Sequence, residues 1–116
     1  MNYSNLIIAD NLKRLMQKHD LTQRTLAEKT GLAQKTISNV INASSGSVTT
    51  STLDSLADFF KVKTYYLLID NLPIDEFESK TIERVVYCYS VSNKESRDNI
   101  RRIAELEAKY SATLPK

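Results

Sequence analysis

The stretch from Leu21 to Asn42, LTQRTLAEKTGLAQKTISNVIN, leaves a chain few ways to fold. Thr22 is a good helix N-cap, because its hydroxyl can accept from a backbone N–H one turn on. Leu26 and Ala27 supply an inward apolar edge, and Ala27 is small enough to let a second helix approach closely. Gly31 falls where the first helix must stop, since glycine enters the left-handed conformation without a Cβ penalty. Ile37, Val40 and Ile41 resume the pattern at i, i+3, i+4, so a second helix runs from about Gln34 to about Asn42. Its opposite face carries Gln34, Lys35, Ser38 and Asn39, a polar surface rich in donors and nearly free of acids.

On an arbitrary amphipathic helix such a face would simply be solvated. Here the order Thr22-Gln23, Ala27, Gly31, Ile37 fits two helices around a tight turn, the arrangement whose second helix enters the major groove of DNA. Over Leu6 to roughly Ile69 the sequence resembles the Cro-like, XRE-type helix-turn-helix family of phage repressors and their bacterial relatives. The resemblance implies an all-α, five-helix, lambda-repressor-like domain whose partner is a double-stranded DNA operator. Gln34 and Lys35 would then lie at the start of the recognition helix. Glutamine there suits adenine N6/N7 bidentately, and lysine suits guanine O6 or N7. Thr36, Ser38 and Asn39 occupy the remaining exposed positions. By the same resemblance Gln23 grips a phosphate and buttresses Gln34. Asn42, Ser44, Ser45, Lys13 and Arg14 are the further candidates for the DNA backbone, with a solvated loop as the plain alternative for each serine.

Two departures from the family pattern have physical readings. Many members pair an arginine near the end of helix one with a glutamate late in the recognition helix, and those positions here are Met16 and Ile41. An apolar contact can replace a buried ion pair at little cost, so the domain should still fold. Ala33 stands where a capping serine is common, and alanine caps poorly, costing about 1 kcal/mol.

The rest of the chain supplies a core and an appendage. Asn5 to Lys18 is a helix with Ile8, Leu12, Leu15 and Met16 on one side, ended by His19-Asp20. The polar segment Ala43 to Thr49 reads as an interdomain linker or as a loop within the domain. The loop reading is better, because Leu53, Leu56, Ala57 and Phe60, on a helix capped by Thr49 or Thr50, complete the same core. A short helix from about Thr64 to Ile69 follows, with Tyr66 and Leu67 inward. Pro73 disfavours helix in the residue before it, which sets the expected boundary between residues 1–71 and 72–116.

Beyond that boundary, one helix is expected from Asp75 to about Val91 and another, started by a capping box at Ser92-Asn93-Lys94-Glu95, to about Tyr110. Together they make a C-terminal helical hairpin. Its stripes, Ile82/Val85/Val86/Tyr89 and Ile100/Ile103/Leu106/Tyr110, exceed what two helices need to cover each other. They either dimerise the protein or dock back on the first domain.

Charge distribution supports the assignment more than total charge does. The net charge is +2, but residues 1–48 carry 6 basic against 3 acidic side chains and residues 70–116 carry 8 against 9. No run approaches the roughly 18 apolar residues of a membrane span, and the first residues lack a secretory signal pattern, so a cytoplasmic location is expected. One cysteine, Cys88, excludes an internal disulfide, and no Cys/His cluster suggests a metal. No Gly-rich phosphate loop, GxSxG or nucleophile–base set is present, so neither catalysis nor a cofactor is expected. Tyr65-Tyr66 and Cys88 read as core residues and His19 as a surface one. The resulting expectation is a phage or prophage-type repressor that binds a palindromic operator as a homodimer, with an antirepressor as a further possible partner. The alternative is the DNA-binding antitoxin of a toxin–antitoxin pair, holding a toxin with its C-terminal part.

Overall fold

The computed structural model describes residues 3–44, 46, 48–74 and 76–113, those at 76–79 and 113 by their backbone alone. Six α-helices and one 3-10 helix, with no strand among the described residues, make the chain all-α. Two compact units divide it, Met1–Asp75 and Glu76–Lys116.

In the first unit, α1 (Tyr3–Lys18) turns Ile8, Leu12, Leu15 and Met16 into the core and ends with Asp20 in the left-handed region at φ 53°. The amide of Leu21 closes that end by donating to the Met16 carbonyl at 2.9 Å. α2 (Gln23–Thr30) starts at Thr22, whose hydroxyl accepts from the Thr25 amide, and stops at Gly31, left-handed at φ 77°. α3 (Gln34–Ile41) begins at Ala33 with no side-chain cap. α4 (Thr50–Phe60) is capped by Thr49, which accepts from the Thr52 amide. The short helix anticipated near Tyr66 is the 3-10 helix η1 (Thr64–Leu68), and both Tyr66 and Leu67 are buried in it.

One hydrophobic cluster joins these elements: Leu12, Leu15 and Met16 of α1, Leu26 of α2, Ile37, Val40 and Ile41 of α3, Leu53 and Leu56 of α4, and Leu67 of η1. Val48 packs against the same cluster, so the polar segment after α3 returns the chain to this core. Leu72 is buried and Ile74 packs on the cluster, so the packing of the first unit takes in the segment that follows Asn71. Lys18 ties that segment down by donating from Nζ to the Ile74 carbonyl.

The second unit consists of α5 (Glu76–Val91) and α6 (Lys94–Thr113). The expected capping box is replaced by a different device. Asn93, not Ser92, caps α6, its Oδ1 accepting from the Ser96 amide at 2.9 Å. Ser92 instead donates from Oγ to the Cys88 carbonyl, closing the end of α5. Either residue type can cap a helix; the short turn leaves Ser92 still engaged with α5 when α6 begins. Arg97 reinforces the turn, donating to the carbonyls of Tyr89 at 3.0 Å and Ser90 at 2.7 Å with its guanidinium over the Tyr89 ring. Cys88 is exposed and not part of a core.

Candidate functional site

The polar face of α3 is produced by the burial of its other side. Ile37, Val40 and Ile41 are 0, 3 and 9 % exposed, which turns Gln34 and Lys35 fully outward and leaves Thr36, Ser38 and Asn39 half-exposed between them. Two turns of helix thus carry five adjacent polar side chains, none acidic. Ala33 provides no side-chain acceptor, so the first N–H groups of α3 stay available to solvent or to an anion.

The end of α3 is held by its own polar residues. Asn42, the C-cap, donates from Nδ2 to Ser38 Oγ at 3.3 Å. Ala43 is left-handed at φ 51°, and the Ser44 amide donates back to the Asn39 carbonyl at 3.1 Å. The Ser44 hydroxyl lies 3.4 Å from Asn39 Oδ1. Ser45 lies outside the described residues.

Beside α3, an open groove of about 350 Å³ runs between α1 and the start of α2, lined by Lys13, Met16, Gln17, Leu21, Thr22, Gln23 and Ile41. The apolar side chains of Met16 and Ile41, both buried, line it. Lys13 and Gln23 are brought together around it. Arg14 is not; it pairs with Asp10 one turn away on α1, at 3.9 Å. The basic side chains from Leu21 to Asn42 are Arg24, Lys29 and Lys35 against Glu28 alone, and Arg24 is paired with Glu28 at 3.3 Å.

Two buried asparagines that position this face escape a reading by hydrophobic periodicity. Asn11 is 0 % exposed and donates from Nδ2 to the carbonyls of Leu67 at 3.0 Å and Ile69 at 2.8 Å, fastening α1 to the end of η1. Asn5 donates to the Gly46 carbonyl at 3.0 Å, mooring the loop that follows α3. Their signal in the sequence was faint: Asn11 sits three residues after Ile8 and one before Leu12, a polar residue on an apolar stripe. Gln17, on the groove, was likewise not singled out.

In the second unit the two stripes lie open. Val85, Val86 and Tyr89 on α5 and Ile103, Leu106 and Tyr110 on α6 are all exposed, while Ile82 and Ile100 are half-buried. Tyr87 and Val91 add to the exposed apolar surface of α5. The helices do not cover each other's stripes, since three positions on each stay exposed.

Among the described residues no group of His, Cys, Asp and Glu side chains could hold a metal ion, and no helix is long and apolar enough to cross a membrane. A family model described as helix-turn-helix matches residues 12–67. No curated protein and no solved structure matches the chain.

Proposed function

Since residues 12–67 place the chain in the XRE-type, Cro-like helix-turn-helix family of DNA-binding transcription regulators, we propose that it is a repressor of the phage or prophage type, which occupies an inverted-repeat operator as a homodimer. The observation that carries this reading is the acid-free outer face of α3, set over a fully buried inner face and beginning at an uncapped N-terminus. In the bound state α3 lies in the major groove. Gln34, Lys35, Thr36, Ser38 and Asn39 meet base edges, while Gln23, Lys13 and Asn42 meet phosphates flanking the groove. Ser44 supports Asn39 as well as facing the backbone, and Arg14, held by Asp10, contributes least. Two copies are needed because one short helix offers too small a footprint for strong site discrimination, and a two-fold dimer calls for half-sites about one helical turn apart.

In vitro site selection with the full chain tests the reading. The expected product is an inverted repeat, and a Gln34/Lys35/Asn39 triple alanine variant should lose its selection at moderate salt. Equal binding by the variant sinks the assignment of α3. Pull-down from the native host addresses the antitoxin alternative, which requires a stoichiometric small toxin on the C-terminal helices; a repressor yields none.

A further inference from the structure

Unit 2 has the helices of a folded domain and none of its core. Among its described side chains none is buried, and the only ones even half-buried are Ile82, Glu83, Ser92, Ser96, Arg97 and Ile100. From Arg101 to Ala112 every residue of α6 is exposed, including the spaced apolar positions Ile103, Leu106 and Tyr110. Helices of 16 and 20 residues without a packed face are marginal in water, because helical stability in proteins comes chiefly from burial of an apolar side. The turn between them is nonetheless specified by Asn93, Ser92 and the Arg97 clamp. Chain geometry is therefore set at the turn, and the missing element is something to fill the faces.

We infer that the missing element is the same pair of helices from a second copy, and that unit 2 acquires its helical structure only as the dimer forms. This rests on the dimeric reading above and goes further, because it makes dimerisation a folding step and not the docking of two finished hairpins. The exposed area fits the occupant. On the two stripes Val85, Val86, Tyr89, Ile103, Leu106 and Tyr110 are 43–66 % exposed. For residues of about 150–250 Å² each, that is on the order of 600 Å² of apolar-residue surface per copy. Specific stable interfaces begin at about 600 Å² on each partner, roughly 1,200 Å² in all. Charge fits as well. Glu76 to Lys116 holds 8 basic and 7 acidic side chains, mixed along α6 as Glu95, Arg97, Asp98, Arg101, Arg102, Glu105, Glu107 and Lys109. A balanced surface of this kind is self-compatible, whereas a strongly acidic or basic partner would call for a single sign. Four helices closing on a shared core bury the stripes that two leave open.

The test is a dilution series of the full chain from high micromolar to nanomolar, followed by sedimentation and by far-UV circular dichroism. The expected result is one transition in which the mass halves and nearly half of the helical signal is lost. A dimer that dissociates with its helical signal intact overturns the inference while leaving the dimeric reading in place. A monomer with full helical signal at every concentration overturns both. Should the dimer resist dilution, Leu106→Glu is expected to be monomeric and to lack the signal of α5 and α6 while unit 1 still melts cooperatively. A monomeric Leu106→Glu with full helicity would refute the coupling.

Discussion

The side-chain amide of Asn11 on α1 donates to the main-chain carbonyl of Ile69, 58 residues further along the chain, at 2.8 Å. The same nitrogen reaches the Leu67 carbonyl, so one buried amide satisfies two acceptors where η1 ends. Carbonyls at a helix end have no partner within the helix, and burying them unpaired is costly. Asn11→Ala should therefore destabilise the first unit by about 1–3 kcal/mol. Asn11→Asp should cost at least as much, since it sets an acceptor against two acceptors. Urea denaturation measures both, and an unchanged midpoint for Asn11→Asp would show that this amide does not hold η1.

Met16 and Ile41 test the apolar replacement of an ion pair. Both are buried in one cluster, at 7 and 9 % exposure. Met16→Arg alone should destabilise by about 3 kcal/mol, because it places a charge there without a partner. Adding Ile41→Glu should recover part of that loss. A double-mutant cycle in urea with zero coupling would mean that the two positions do not meet.

Two left-handed residues predict effects of opposite sign. Gly31 ends α2 at φ 77°, and a Cβ built there meets nothing within 4 Å. Gly31→Ala should still cost about 1–2 kcal/mol, since the penalty lies in the backbone conformation and not in space. Ala43, at φ 51° after α3, already bears that penalty, so Ala43→Gly should stabilise by roughly 1 kcal/mol. Thermal denaturation reads both shifts. Identical signs would contradict the assigned conformations.

The candidate contacts of α3 and the groove differ in how salt should affect them. Gln34→Ala or Asn39→Ala should cost about 1–3 kcal/mol on the selected site and relax preference at one base position. Lys13→Ala should weaken binding uniformly across sequences and reduce the slope of log K against log salt by about 0.9 for a lost phosphate contact. Binding isotherms at several salt concentrations separate the two. A Lys13→Ala protein with altered base preference and an unchanged slope would reverse its assigned role.

The helices and most of their ends were legible in the sequence because they are local. Thr22, Gly31 and Thr49 act on backbone groups within one turn, and the i, i+3, i+4 spacing of Ile37, Val40 and Ile41 alone selects the side of α3 that must face inward. Once that side is buried, the outward position of Gln34 and Lys35 follows from helical geometry. Where two local signals competed, as at Ser92 and Asn93, spacing could not decide, because both residues are able caps and the turn length chose between them. Contacts between distant segments had no such signature. Nothing near Asn11 announces that Leu67 and Ile69 will need a donor, and nothing near Asn5 points to Gly46. The Arg97 clamp on α5 arises from the path of the chain through the turn. The open stripes of α5 and α6 show the same division. Their periodicity is written in the sequence, but whether two helices close on each other depends on the packing the turn allows, and only the tertiary structure decided that they do not.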